Sequence, residues 1–189
     1  MNNYNNILEF YKDYIKLEQV LRKGWLMCNV PAERIESVAD HTLQLIMLAS
    51  VITKELNIKV DLTKLMEMLL IHDMGEAIIG DISDVEDDFK TKKEKEHEVI
   101  RELFDKLKED NANYYYSLWL EMEDQNTKIA KFAYLLDKLD AVIKAGIYEE
   151  QYELQGLFKE FSGLQKNRKT FDDCILTDFF NYIVARYDK

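Results

Sequence analysis

The chain has only three histidines, and their neighbours suggest chemistry. His72 is followed directly by Asp73, at the end of a stretch rich in leucine and methionine. Successive helical residues point about 100° apart, at 3.6 residues per turn. Both side chains can still reach one ion placed over the seam beside a helix end. An unpaired carboxylate is costly to bury at such a place, and a cation removes that cost. Taken alone, the pair also reads as an ordinary helix C-terminus, with an imidazole suited to the dipole and a solvated aspartate.

His41 stands in Glu36-Ser37-Val38-Ala39-Asp40-His41, ahead of the strongly apolar stretch from Leu43 to Ile52. Alone it could be a satisfied core histidine. Further on, Phe132, Leu136, Leu139 and Ile143 mark the core stripe of a long helix. Asp137 lies on another line, with Ala130, Ala133 and Ala141 at helical spacing, and small residues there allow close packing over a site. Asp140 has Lys144 four residues on, a pairing typical of a solvated face, so Asp137 rather than Asp140 is the candidate ligand. Two imidazoles and two carboxylates from three helices suit one borderline divalent ion such as Mn, Co, Fe or Zn. Such an ion acidifies a bound water and polarises a phosphoryl oxygen.

To position these groups the chain needs helices, and its periodicity supplies them. A first helix is expected over Ile7 to Leu21, with Leu8, Tyr11, Ile15 and Leu17 in rhythm; Gly24 ends it and Trp25 to Pro31 reads as an extended loop. Ser37 is a plausible N-cap for a helix running through His41 to about Leu56, and Asp61 caps another from Leu62 to about Asp73. Gly75 and Gly80 bracket a short helical turn, and the acidic segment from Asp81 to Asp88 reads as a loop. Further helices are expected over Lys90 to Lys108, Tyr114 to Met122, Asn126 to about Tyr152, and Asp172 to Arg186. The expectation is an all-α single domain over residues 1–189, a bundle of about six or seven helices.

The bulk composition agrees. Hydrophobic residues are 47% and charged residues 32%, which argues against disorder, and one proline with six glycines argues against many tight turns. The net charge of -11, from 36 acidic and 25 basic side chains, repels long nucleic acids and acidic membranes but not a small anion drawn to a local cationic pocket. No apolar run reaches the roughly 20 residues of a membrane span. The N-terminus does not read as a signal peptide. Cys28 and Cys174 are too few for a disulfide framework, which points to a reducing, cytoplasmic setting.

The order Ser-Val-Ala-Asp-His41, then His72-Asp73 in LLIHDMGEAIIGDIS, then Asp137 in AKFAYLLDKLD resembles the HD-domain superfamily, and within it the 5′-deoxynucleotidases. The resemblance runs from about Leu21 to Glu149. Its specific part is HDxxE followed by Gly-Asp-Ile, preceded by Gly-Trp, Asn-Val and the Glu-Ser-Val-x-Asp-His segment. It implies an all-α, homodimeric enzyme that removes the 5′ phosphate from deoxynucleoside monophosphates with a divalent ion. His41, His72, Asp73 and Asp137 would hold that ion. Glu76 would act as proton donor or water orienter, and Asp81 in catalysis and sugar recognition. Arg22 and Trp25 would hold phosphate and nucleoside, and the substrate would also meet His41, Ile82, Ser83, Asp84 and Asp137.

Two departures bear on nucleotide preference: Cys28 stands where the family often has arginine, and Ser83-Asp84 follow Gly-Asp-Ile where proline is common. His97, in a charge-rich stretch, is expected to be solvated. Tyr114 to Tyr116 and Trp119 are expected in the core or a dimer interface. Two other readings stand beside the leading one: a hydrolase of another nucleotide, such as a nucleoside triphosphate, or of another small phosphate ester, and a non-catalytic interaction protein retaining the fold.

Overall fold

Apolar periodicity becomes helix almost throughout the computed structural model, which describes residues 3–81, 89–163 and 169–188. In chain order the α-helices are α1 (Asn3–Tyr14), α2 (Lys23–Met27), α3 (Val38–Glu55), α4 (Leu62–Ile71), α5 (Glu76–Ile79), α6 (Phe89–Phe104), α7 (Glu109–Asp124), α8 (Lys128–Tyr152), α9 (Leu157–Gly163) and α10 (Thr177–Tyr187). Among the described residues there is no strand, only an isolated antiparallel bridge between Leu21 and Ser37. The helices beyond the expected six or seven are short: α2 and α9 have five and seven residues, and α5, with four, is the helical turn expected between Gly75 and Gly80.

The three long-range helices of the site start cleanly because their caps are satisfied. Ser37 and Asp40 form a capping box at α3: Asp40 N donates to Ser37 Oγ (3.1 Å) and Ser37 N donates to Asp40 Oδ2 (3.0 Å). Asp61 accepts from Lys64 N at the start of α4, and Thr127 accepts from Ala130 N at the start of α8. Leu45 and Ala49 of α3, Leu65, Met68 and Leu69 of α4, Trp119 of α7 and Leu136 and Leu139 of α8 meet in one large core. Ile100, Leu103 and Phe104 bury the expected stripe of α6 there. A second, smaller core gathers Trp25, Val30, Ile35, Ala145, Tyr148 and Leu157. Helix α8 contributes to both.

Several expectations need correction. The first helix ends at Tyr14 and continues as a 3-10 turn over Ile15–Gln19, and Leu8 and Tyr11 are exposed while Leu17 is buried. Gly24 does not terminate that helix; it lies inside α2, where an extended loop was expected. Burial of the Trp25 ring against Tyr148 and Phe161 holds this turn, and Asp81 Oδ2 accepts from Lys23 N at its start (2.5 Å). Local propensity was a poor guide because the anchor is tertiary. The final helix starts at Thr177, five residues late, after a turn in which the Thr177 hydroxyl bonds the Phe171 and Cys174 carbonyls. Trp119 is a core residue, fully buried, with its Nε1 donating to the His72 carbonyl (3.2 Å).

Candidate metal centre

Three helices bring the sequence's candidate ligands together. The capping box fixes where α3 begins, and His41 falls in its first turn pointing inward, fully buried. His72 caps the C-terminal end of α4, and Asp73 follows in the turn before α5. Asp137 comes from the middle of α8. His72 Nε2 lies 3.0 Å from Asp73 Oδ2 and 3.9 Å from Asp137 Oδ1. His41 Nε2 lies 3.2 Å from Asp137 Oδ1 and 3.9 Å from Asp73 Oδ2. Ligand atoms of His41, His72 and Asp73 all fall within 4.8 Å of one another.

The two Nε2 atoms are the informative ones. Both are buried and neither has a hydrogen-bond partner, an arrangement that costs free energy unless something binds there. Each ring is held by its other nitrogen: His72 Nδ1 meets the Leu69 carbonyl (2.8 Å) and His41 Nδ1 meets Asp140 Oδ2 (2.9 Å). Lone pairs of two imidazoles, with two carboxylates between them, form a donor set that fits a divalent transition ion.

Charges around the cluster are tightly balanced. Burial disfavours the Asp137 carboxylate, but the Lys138 ammonium at 2.9 Å and the His41 ring outweigh it and hold the group well below the usual range. Burial and the nearby Arg22 oppose charge on His41, while Asp137 and Asp140 raise it to about 9. Glu76 behaves in the opposite way: burial first, then the negative charges of Asp73 and Asp81, push it up to about 10.

Arg22 reaches into this cluster. Its Nη1 is 3.5 Å from Asp73 Oδ2 and its Nε 3.7 Å from Glu36 Oε1. Trp25 is 2% exposed, and its Nε1 donates to Glu36 Oε1 (2.9 Å). Asp81 is half-buried at the start of α2. Ile82, Ser83 and Asp84 lie outside the described residues.

Sequence reasoning missed part of the surroundings. Asp140 is buried at 6% exposure, not on a solvated face, because Lys144 turns away from it to Glu36 Oε2 (2.9 Å). Its position one turn after Asp137 was the available signal, since residues three apart share a helix face. Lys138 and the buried Glu36 were also missed; a charged residue beside a proposed ligand was the cue for the first. His97 is half-buried rather than solvated, edge-on to Trp119 with centroids 4.9 Å apart.

Fold and cluster together define an all-helical domain with a histidine–aspartate centre suited to a divalent cation. The chain matches the HD domain family over residues 15–173. It is 32% identical over 157 residues to the human protein named 5′-deoxynucleotidase HDDC2, covering 82% of this chain and 74% of that one. The Dictyostelium discoideum protein of the same name is 32% identical over 176 residues, covering 88% and 90%. Among solved structures, one from Magnetospirillum magnetotacticum described as a predicted metal-dependent phosphohydrolase superposes with a TM-score of 0.73 at 25% identity, covering 98% of this chain and 94% of that one. A protein of Pyrococcus horikoshii gives 0.69 at 26% identity, covering 93% and 97%. The chain belongs to the HD-domain family.

Proposed function

We propose that this chain is a divalent-metal-dependent phosphohydrolase that releases phosphate from deoxynucleoside 5′-monophosphates. The observation that carries the metal reading is the pair of buried, unpartnered Nε2 atoms of His41 and His72 facing Asp73 and Asp137. The similarity to the named 5′-deoxynucleotidases supports the substrate. His41, His72, Asp73 and Asp137 would hold one ion, which supplies a more acidic water and charge for a phosphoryl oxygen when bound.

The remaining roles fall to the chain's own side chains. Arg22 and Lys138 each touch one ligand carboxylate, so the substrate's phosphate meets a cation on either side of the cluster in an otherwise acidic protein. Glu76, half-buried and pushed toward its protonated form by burial and by Asp73 and Asp81, donates its proton to the ribose oxygen as it leaves. Asp81 holds the start of α2 and so fixes the Arg22–Trp25 segment beside the cluster, and its carboxylate would serve catalysis and sugar recognition. Trp25 supports the nucleoside end from its buried seat by holding Glu36. Ile82, Ser83 and Asp84 complete the substrate contacts in this reading. A homodimer in the cytoplasm is the proposed state, with the exposed apolar stripe of Leu43, Met47 and Val51 on α3 as its contact face. No helix among the described residues is long and apolar enough to cross a membrane.

The test is a panel of the common deoxynucleoside monophosphates and triphosphates with Mn or Co added. Release of inorganic phosphate from monophosphates, abolished together with metal binding by His72→Ala or Asp73→Ala, is the expected result. Pyrophosphate or triphosphate release from triphosphates alone would move the assignment to a nucleoside triphosphate hydrolase. Full activity in metal-free His72→Ala would overturn the mechanism.

A further inference from the structure

We propose that Asp140 is the positioning residue of the metal centre: its carboxylate fixes the His41 ring in the tautomer that turns the Nε2 lone pair toward the ion. The inference rests on the reading of His41 as a ligand. A ring that ligates an ion has given up one proton, and the neutral imidazole that remains carries one N–H and one lone pair, placed by what each nitrogen faces. His41 is fully buried, so water does not make that choice. Its Nδ1 stands 2.9 Å from Asp140 Oδ2. An ionised carboxylate only accepts hydrogen bonds, so Nδ1 must donate, which leaves the lone pair on Nε2. That atom faces Asp137 Oδ1 at 3.2 Å and has no hydrogen-bond partner.

The charges behind the ring are arranged to leave Asp140 with this task. Lys144, one turn further along α8, would ordinarily pair with Asp140 at i+4. Its Nζ lies instead 2.9 Å from Glu36 Oε2, and it also meets Gln44 Oε1. The lysine therefore neutralises the neighbouring glutamate rather than the aspartate. His72 obtains the same orientation from a main-chain oxygen, the Leu69 carbonyl at 2.8 Å. The two rings of the centre are thus set by different acceptors, one neutral and one charged. A carboxylate partner also makes the imidazole a stronger donor to a metal.

The experiment compares the metal-free wild-type chain with Asp140→Asn, probing both with Co(II) and Zn(II) alone in competition with a chromophoric chelator. Asp140→Asn keeps the shape and removes the charge. Affinity is expected to fall by roughly 10–100-fold, the usual scale for losing such a partner, while the melting temperature of the metal-free variant reports any purely structural damage. In parallel, the zinc-loaded proteins are labelled with 15N-histidine. The wild-type His41 ring should carry its proton on Nδ1 and be coordinated through Nε2, and in the variant that Nδ1 signal should shift or vanish. Wild-type metal affinity in Asp140→Asn, or a wild-type proton on Nε2, overturns the proposal. If Asp140→Asn does not fold, the wild-type tautomer alone decides it. Failure of the wild-type chain to take up either ion would sink the ligand reading itself. Tight wild-type binding with no effect of Asp140→Asn would sink only the role given to Asp140.

Discussion

Arg22 faces two carboxylates, Asp73 and Glu36, and neither is Glu18, the acid one turn earlier in the chain. Both contacts are long, 3.5 and 3.7 Å, so the guanidinium is held near the cluster without being saturated. Truncation in Arg22→Ala is expected to raise KM for every active nucleotide and to weaken inhibition by inorganic phosphate, with turnover falling as well. Steady-state kinetics with phosphate as inhibitor check this, and unchanged constants would refute the clamp. Glu76→Ala separates proton transfer from metal holding: metal content should stay near normal while turnover slows by roughly 10² or more. Loss of the metal in that variant would reassign Glu76 to ligand or support. At this scale the sequence was most legible where residue type is rare. Three histidines among 189 residues left few arrangements, and His41, His72, Asp73 and Asp137 do come together. Asp140 was misjudged because a lysine at i+4 has two directions to lean, and only the buried Glu36, over a hundred residues away in sequence from Lys144, shows which it takes.

Long helices with caps were readable, and short ones held by distant partners were not. Asp61 and Ser37 cap where their sequences indicate, since the signal lies within four residues. Helix α2 has no such local signal, because its stability comes from the Trp25 ring meeting Tyr148 and Phe161 from far along the chain. Helix α8 offers a test of how closely elements pack. A Cβ on Gly146 would stand 2.7 to 2.8 Å from ring carbons of Tyr187 on α10. Alanine should gain about 1 kcal/mol in helix propensity, against roughly 1–3 kcal/mol for overpacking. Gly146→Ala is therefore expected to lower the urea midpoint, and the same change in a Tyr187→Ala background should raise it. A midpoint raised by Gly146→Ala alone would show that the α8–α10 contact yields easily.

Across the whole molecule, the acidic balance of -11 leaves the folded chain with self-repulsion that a cation relieves, and the centre points the Asp73 and Asp137 carboxylates toward the same two imidazole nitrogens. A bound cation should therefore stabilise the fold as well as enable the chemistry. At about 100 times the dissociation constant the linkage is worth about 2.7 kcal/mol, roughly 5–10 °C in melting temperature for a chain of this size. Calorimetry of the chelator-treated protein with and without added Mn or Co reads this shift. His72→Ala should melt at one temperature in both conditions. An equal shift in wild type and variant would place the stabilising ion elsewhere on the surface.

The Leu69 carbonyl that orients His72 belongs to the main chain, and every amino acid at position 69 supplies it. The orientation of His41 depends on a side chain, so one codon can erase it. In a library of random variants selected for loss of activity, position 140 should therefore appear beside position 41. Position 69 should appear only through substitutions too large, too polar or too rigid for the core around it. Half of the centre's alignment is thus invisible to genetics, and a map of intolerant positions drawn from such a screen would understate how His72 is held.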